Sequence, residues 1–325
     1  MIEILSTRNN SDIYRYYNTI QSMEDEFLEY GNCKLLLFGK WMYLANNIGY
    51  RRFHRQVADW GLLRKCSPDN WKLFISMSDT ALSYCKKTLM KVHDKLILYV
   101  FDCWEPKWER FEQLFREIRP YMICFAYQKA EEHFRKRNIC KTCHIPQSMD
   151  ATVYFPQNAE KTRLFMQMGR RTECLHRMAM GYLKEHEIAD TEANYVYERE
   201  RDQSIFPEKE ALAREMGKSW FFLVAPRCVE QWQETGNISE VTARFYEAMA
   251  TKTLCVGIKP KDNFDRLFPV ENAMIEVTED TFNEKIDYFL SHPEKYREIV
   301  NRNYDYVMAH HRWRNRYEEI MLAMQ

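Results

Sequence analysis

The sequence of 325 residues lacks a net charge, because 47 lysine and arginine residues are balanced by 47 aspartate and glutamate residues. A balanced chain has no global electrostatic field that would draw it onto nucleic acid or onto an acidic surface. The composition therefore predicts no nucleic-acid partner, and any site for an anion must be local.

Long apolar runs are also lacking. The longest apolar stretches, such as residues 220–225, are far shorter than a membrane span. The first residues, Met1-Ile-Glu-Ile-Leu-Ser, have neither the basic region nor the apolar region of a signal peptide. These features predict a cytoplasmic protein.

The ten cysteines lack a repeated spacing, which argues for reduced thiols rather than a disulfide framework. One stretch, Cys140-Lys-Thr-Cys143-His144, matches the C-x-x-C-H motif of covalent haem attachment. That attachment normally follows export, so a haem protein is only an alternative here. Zinc would need a second pair of ligands at a suitable spacing, and we predict no metal and no cofactor.

Short apolar runs alternate with charged segments of helical spacing, which is typical of βα units around a parallel sheet. Residues 145–158, with two prolines, interrupt this alternation and predict a linker. The chain thus divides into residues 1–150 and a second βα domain after them. The predicted strands are residues 34–38, 73–76, 96–101, 121–127, 163–168, 193–197, 220–224, 253–257 and 273–277.

Two helices are predicted in more detail. Apolar residues between Trp108 and Ile118 fall on one helical face, and Pro120 ends the helix. Near the C-terminus, Ser291-His-Pro-Glu294 separates two helices, and we expect Ser291 to cap the second one.

The chemistry concentrates in residues 242–257, where a helix runs into a buried strand. The first N–H groups of a helix carry positive partial charge, so a diphosphate could bind at Thr242 and Ala243. Arg244 would supply a fixed positive charge. Glu247, one turn further, could accept both hydroxyls of a ribose. The spacing suits a nucleotide sugar.

The stretch Arg244-Phe-Tyr-Glu247-Ala-Met-Ala and the closing segments His292-Pro-Glu-Lys-Tyr-Arg and His311-Arg-Trp-Arg-Asn-Arg316 resemble the group 1 glycosyltransferases of the GT-B fold, in particular their spore-maturation-type branch. The resemblance implies an α/β protein with two Rossmann-like domains facing a cleft. Residues 1–150 would hold the acceptor, residues 151–305 the nucleotide sugar, and residues 306–325 would form a helix that returns to the first domain.

A further match opens the second domain, where Met166-Gln-Met-Gly169-Arg170-Arg171 resembles the family's glycine turn. A basic residue beside that glycine faces the donor phosphates in the family, which implies this role for Arg170 or Arg171. Many members also carry two glutamates with seven residues between them. Here Ser239 stands at the first position, so Glu240, one residue out of register, is the candidate sugar contact.

Candidates for the acceptor side come from the first domain. Asp102 follows a predicted strand and could act as a general base or orient the acceptor, with a helix cap as the alternative. Gly39-Lys40-Trp41 also follows a strand, where a turn can face a ligand crevice. Arg51, Arg52 and Arg55, with two aromatic neighbours, suggest peripheral contact with an anionic membrane or simply a solvated helix face.

The sequence therefore predicts a hexosyltransferase that moves a sugar from a nucleotide-diphosphate donor to a hydroxyl acceptor, such as a glycan or a lipid-linked or polysaccharide precursor. Arg170 or Arg171, together with Arg244, would stabilise the departing diphosphate without a metal, with retention slightly favoured. A nucleotide-sugar epimerase and a non-catalytic nucleotide-sugar or partner-binding module are the alternatives. Glu247 and the arginines also have a plain interpretation as surface residues.

Overall fold

The computed structural model describes residues 1–9, 18–53, 56–157, 160–169, 171–198 and 205–325. Two residues named above, Arg55 and Arg170, lie outside these ranges. The chain forms two compact units. The first comprises Met1–Gln147, Gln233–Ile238 and Trp313–Gln325, and the second comprises Ser148–Trp232 and Ser239–Arg312.

The first unit is built on a sheet of six parallel strands in the order β2-β1-β3-β4-β5-β6. The strands are β1 Ile2–Ser6, β2 Cys33–Leu37, β3 Trp71–Ser76, β4 Leu96–Val100, β5 Met122–Phe125 and β6 Lys141–His144. The α-helices are α1 Asn18–Tyr30, α2 Met42–Phe53, α3 Trp60–Leu63, α4 Asp79–Leu89, α5 Trp108–Ile118 and α6 Gln128–Arg137.

Strands β2 to β5 were predicted from their apolar runs, whereas β1 and β6 were not. Every residue of β4 is fully buried, as expected for a parallel strand covered on both faces. In contrast, β6 lies at the edge of the sheet and consists of Lys141, Thr142, Cys143 and His144. Edge strands tolerate polar side chains, so β6 has no apolar signature.

This strand also bears on the haem alternative. Successive side chains of a strand point to opposite faces, so Cys143 and His144 do not face the same side. The Sγ atom of Cys143 lies 3.3 Å from Sγ of Cys124 on β5. The geometry therefore favours thiols packed in a sheet over a haem attachment site.

The predicted helix at residues 108–118 is confirmed. Its apolar stripe of Phe111, Leu114, Phe115 and Ile118 is buried, and the chain leaves the helix through Arg119 in the left-handed conformation. Burying these four side chains stabilises the unit by about 1.5–3 kcal/mol each.

The last helix, α14 Trp313–Met324, packs in the first unit. Trp313 is fully buried, and its ring meets that of Phe101 edge-on at 6.0 Å. Arg316, also buried, donates hydrogen bonds to the carbonyl of Gln147. Aromatic burial thus ties the chain's last turns to the first sheet.

The second unit contains five parallel strands in the order β11-β10-β9-β7-β8. They are β7 Arg163–Gln167, β8 Tyr195–Tyr197, β9 Ser219–Val224, β10 Leu254–Gly257 and β11 Ile275–Glu276. All five were predicted. The helices are α7 Glu173–Glu185, α8 Lys209–Gly217, α9 Cys228–Thr235, α10 Ala243–Ala250, α11 Phe264–Leu267, α12 Phe282–Ser291 and α13 Pro293–His310, of which α9 ends in the first unit.

The strand order of this unit reverses direction between β7 and β9. In open α/β sheets, ligands bind outside the carboxyl ends of the strands at such a switch point. Helix α10 follows β9 and precedes β10, so its beginning lies at the same edge of the sheet. The topology therefore predicts a ligand site at the turn after β7 and the start of α10.

The predicted cap at Ser291 is wrong. Helix α12 runs through Ser291, whose hydroxyl donates to the carbonyl of Asp287 in the preceding turn. His292 precedes Pro293, the first residue of α13. The serine is drawn into α12 because a hydroxyl can bond back to a carbonyl four residues earlier.

A half-buried lysine lies at the opposite edge, where the strands of the second unit begin. The Nζ atom of Lys161 donates to the carbonyls of Ser219 at 2.8 Å and Lys252 at 2.9 Å. Burial lowers the pKa of Lys161 to about 7.

Among the described residues, no helix is long and apolar enough to cross a membrane.

Candidate functional site

An ion pair lies in the first turns of α10. The Nη1 atom of Arg244 is 2.5 Å from Oε2 of Glu247, one turn along the helix. The side chain of Glu247 is 9% exposed and that of Arg244 is 32% exposed, so the guanidinium remains accessible to a ligand. The remaining residues from Phe245 to Ala250 are buried, which holds the helix rigidly in the unit.

Tyr154, which lies in the segment before β7, contacts both members of this pair. It is 4% exposed, and its hydroxyl interacts with both Arg244 and Glu247. Burial raises the pKa of Tyr154, and the carboxylate of Glu247 raises it further. The phenol therefore stays protonated and can donate to the carboxylate. Sequence reasoning missed this residue because it lies in a segment interpreted only as a linker.

The glycine turn lies directly beside the ion pair. Gly169 has a φ of +95°, a conformation that favours glycine. A Cβ atom at this position would be 3.3 Å from Nε of Arg244. The turn after β7 and the start of α10, which are 75 residues apart in sequence, therefore form one surface.

A second carboxylate lies at this surface. Oε2 of Glu198, which follows β8, accepts a hydrogen bond of 3.0 Å from the N–H of Gly169. Although burial opposes its charge, the carboxylates of Glu247 and Glu198 help to raise the pKa of Arg244. Glu198 thus occupies donors suited to an anion. The sequence gives no motif that identifies it.

Thr242 and Ala243 lie where the sequence places them, at the start of α10. Thr242 has an extended backbone, with φ of −104° and ψ of 169°. Its carbonyl accepts the hydrogen bond of Phe245. Within the described part of the chain, the hydroxyl of Thr242 makes no capping hydrogen bond to the helix. It remains available to a ligand oxygen.

Arg171 belongs to a neighbouring arrangement. Its Nη2 atom is 3.2 Å from Oε2 of Glu173, and its guanidinium stands over the ring of Tyr197 at 5.8 Å. The N–H of Glu173, the first residue of α7, donates to Oε1 of Glu230 at 2.9 Å. Arg171 therefore lies beside a second helix start that already holds a carboxylate.

Glu240 is 3% exposed and precedes α10. Its Oε2 accepts a hydrogen bond of 3.2 Å from Nδ2 of Asn263 in the loop after β10. The adjacent Ser239 bonds the same loop through Asp262. These bonds fix the path of the chain into α10, and the role of Glu240 toward a sugar stays a prediction.

The acceptor candidate Asp102 lies in the first unit, just after β4. Its Oδ1 accepts a hydrogen bond of 3.1 Å from the hydroxyl of Tyr127, which follows β5. Gln147 donates to the same hydroxyl at 3.2 Å. The side chain of Asp102 thus lies at the carboxyl edge of the first sheet, the edge at which open α/β sheets bind ligands, whereas the strand order reverses between β1 and β3.

A buried carboxylate in this unit was not predicted from the sequence. Glu24 on α1 is 1% exposed, and its Oε2 accepts from Ser6 at 2.9 Å and from Nε of Arg8 at 2.5 Å. Burial raises the pKa of Glu24 despite these partners. Its position at the carboxyl end of β1 makes it an alternative acceptor-side group. A glutamate in an amphipathic helix has no sequence pattern that marks it as a functional residue.

The cluster in the second unit can hold a dianion beside a hydroxyl-bearing group. Arg244, the turn at Gly169 and the hydroxyl of Thr242 offer donors, while Glu247 offers acceptor oxygens one turn away. Negative charge that develops on a leaving group would be stabilised by such preorganised donors. Within the described residues, no cluster of three or more His, Cys, Asp or Glu side chains is arranged to hold a metal ion.

Comparison with known families adds to this geometry. A family model described as glycosyl transferase-like matches residues 194–322. The matched segment contains Glu198, Glu240, Arg244 and Glu247. No curated protein matches the chain in sequence.

Solved structures match the fold of this chain at low sequence identity. The N-terminal domain of Candida albicans trehalose-6-phosphate phosphatase superposes with a TM-score of 0.57 at 8% identity, over 99% of this chain and 98% of that one. A variant of TarM from S. aureus gives a TM-score of 0.54 at 8% identity, over 78% of this chain. The match spans only 55% of the TarM chain.

The two parallel sheets and these neighbours establish the α/β architecture of the GT-B fold. At such low identity the structural matches carry the fold alone, and the family model adds the activity class. The chain has the GT-B fold of glycosyltransferases, and its residues 194–322 match the glycosyl transferase-like family, which supports glycosyl transfer as its activity class.

Proposed function

We propose that the second unit binds a nucleotide-diphosphate sugar at the start of α10, and that the enzyme transfers the sugar to an acceptor hydroxyl. The observation that carries this proposal is the Arg244–Glu247 pair beside the turn at Gly169. The diphosphate binds Arg244 and Thr242, and the ribose hydroxyls donate to Glu247. Ala243, at the start of the helix, lines the same position.

The solved TarM variant supports the ligand class, since that protein was crystallised with UDP, fondaparinux and α-GlcNAc-glycerol. In the present chain, one arginine and a helix start provide the positive charge that a departing diphosphate requires. The transfer therefore needs no metal. Arg171 lies two residues after Gly169. It binds the diphosphate once its ion pair with Glu173 is broken, and Arg170 is the alternative.

Glu198 competes with the diphosphate for the donors of the proposed site. Its carboxylate takes the N–H of Gly169 and interacts with Arg244, the groups that would otherwise meet a phosphate. Two anions do not share one set of donors, so the diphosphate displaces Glu198. Nucleotide binding is then weaker than the donor set alone would allow.

On the acceptor side, Asp102 in the first unit orients the attacking hydroxyl in a retaining reaction or deprotonates it in an inverting one. The acceptor is a glycan, a lipid-linked saccharide or a polysaccharide precursor. Retention of configuration and membership of the spore-maturation-type branch rest on the resemblance of residues 244–250 and of the closing helices.

Thermal unfolding with uridine, guanosine, thymidine and adenosine diphosphates tests the proposal first. A ligand that binds only the folded state raises the melting temperature. At least one diphosphate should do so. No stabilisation by any of the four would contradict a nucleotide site.

Turnover of the corresponding nucleotide sugar then separates the remaining functions. A glycosyltransferase consumes donor when acceptor is present, whereas an epimerase converts donor without acceptor. A non-catalytic module would bind the nucleotide without transfer or hydrolysis. Conversion of the donor to an isomer would overturn the proposal.

A further inference from the structure

Helix α2 of the first unit exposes apolar side chains and buries a polar one. Trp41, immediately before the helix, is 70% exposed, Leu44 is 40% exposed and Ile48 is 46% exposed. Their spacing of three and four residues places them on one face. Asn46 points to the opposite side and is 3% exposed. Among the side chains of α2 that the structure describes, this is the reverse of an ordinary amphipathic pattern.

The buried asparagine explains how α2 is held in this orientation. Its Nδ2 donates to the carbonyl of Tyr84 at 2.8 Å, and its Oδ1 accepts from the N–H of Val57 at 3.0 Å. A buried amide with these partners resists rotation of the helix, because turning it inward would leave polar groups unpaired. The apolar face is therefore kept outward by hydrogen bonds.

Two more exposed apolar residues follow α2 in the chain, and one of them, Trp60, lies close to the start of this face. Val57 is 57% exposed and Trp60 is 59% exposed. The carboxylate of Asp59, between them, accepts a hydrogen bond of 2.8 Å from the N–H of Gly39, two residues before Trp41. Both tryptophans thus stand beside one turn. We call Trp41, Leu44, Ile48 and Trp60 the tryptophan patch.

The surroundings of the tryptophan patch are cationic. Residues 33–67 contain seven lysines and arginines but one carboxylate, Asp59, which is 8% exposed and bonded to backbone N–H groups. The Nζ atom of Lys91 stands 5.8 Å from the ring of Trp60. In a chain of zero net charge this is a local concentration of positive charge. The exposed basic side chains are those of Lys34, Lys40, Arg52, Arg64 and Lys65.

We propose that the tryptophan patch docks the first unit onto the surface of an anionic lipid bilayer. Tryptophan is suited to the boundary between headgroups and acyl chains, and lysine and arginine are attracted to anionic headgroups. The core of a protein interface is, in contrast, depleted of lysine. The inference goes beyond the proposed sugar transfer and does not depend on the donor site.

This surface differs from the basic group predicted from sequence. Of Arg51, Arg52 and Arg55, the structure describes only the side chain of Arg52, which is exposed. The apolar component comes from Trp41 and Trp60, which no sequence pattern brings together. The tertiary contact of Asp59 with Gly39 does so.

Sedimentation of the full chain with lipid vesicles tests the proposal. The protein should bind vesicles of phosphatidylcholine mixed with phosphatidylglycerol at least about ten-fold more tightly than phosphatidylcholine alone. Replacing both Trp41→Ser and Trp60→Ser should weaken binding to the mixed vesicles by about ten-fold or more. Trp232→Ser, in the second unit, is the matched control, since Trp232 is 65% exposed and lies outside the patch.

The charged component has its own variant. Arg64→Ser with Lys65→Ser should reduce binding to the mixed vesicles and leave the melting temperature unchanged, since both side chains are exposed. This variant carries the test if the tryptophan variant fails to fold. Failure of the wild-type chain to bind mixed vesicles, or an equal loss with Trp232→Ser, overturns the proposal. A wild-type dimer that dissociates in the tryptophan variant assigns the patch to a second copy and also overturns it.

Discussion

Arg244 and Glu247 are joined by a contact of 2.5 Å between Nη1 and Oε2, on a helix whose other residues are largely buried. The pair has two functions in the proposed donor site. The guanidinium meets phosphate, and the carboxylate meets ribose. Substitutions at the two positions should therefore affect different parts of the ligand.

The first prediction separates these two parts. Arg244→Gln should weaken binding of both the stabilising nucleoside diphosphate and inorganic pyrophosphate by about ten-fold or more, since it removes a charge-assisted hydrogen bond. Glu247→Gln should weaken only the nucleoside diphosphate. Calorimetric titration measures both constants, with the exposed Glu284→Gln as control. Equal behaviour of Glu247→Gln and the control would remove Glu247 from the site.

The second prediction concerns Glu198. Glu198→Gln should tighten binding of the same nucleoside diphosphate by about ten-fold, because the amide no longer competes as an anion for Gly169 and Arg244. Binding of the uncharged nucleoside should not change. The titration that measures the first prediction also measures this one. Weaker binding in Glu198→Gln would mean that the carboxylate contacts the ligand rather than competing with it.

The third prediction addresses the acceptor side. Asp102→Asn should reduce the rate of transfer by about 100-fold or more while leaving nucleotide binding unchanged. Tyr127→Phe removes the hydrogen bond to Asp102 but keeps its carboxylate, so its rate should fall much less. If Asp102→Asn transfers at the normal rate, the buried carboxylate of Glu24 becomes the candidate, and Glu24→Gln tests it.

The fourth prediction concerns pH and the half-buried Lys161. Its pKa is about 7 in the folded chain, against about 10.4 in an unfolded chain, so the unfolded chain binds more protons between these values. The free energy of unfolding should therefore rise with pH, by up to about 1.4 kcal/mol per pH unit for this one proton.

Urea unfolding of the wild type and of Lys161→Met at several pH values from 7 to about 8.5 measures this contribution. Above that range the cysteines, whose pKa values burial raises, act in the opposite direction. The variant should lose the rise, and the exposed Lys184→Met should keep it. Parallel curves for Lys161→Met and the wild type would show that Lys161 stays charged.

The elements that could be predicted are those whose signal is local. The strands of the second unit are short apolar runs, and the helix at residues 108–118 has an unbroken apolar stripe, so both were found. Strands β1 and β6 were missed because Glu3 and Ser6 interrupt the first and the second is polar. The predicted cap at Ser291 was wrong because helix α12 continues through Ser291, whose hydroxyl donates back to the carbonyl of Asp287.

By itself, the sequence determined the alternation of strands and helices, the resemblance of residues 244–250 to a donor-site helix, and the candidacy of Arg244 and Glu247, because helical spacing alone puts those two side chains on one face. Only the tertiary structure decided that Gly169, Tyr154 and Glu198 meet them, and that Trp41 and Trp60 share a surface. Such contacts join residues far apart in the chain through sheet pairing and buried hydrogen bonds, and no local pattern encodes which distant groups they bring together.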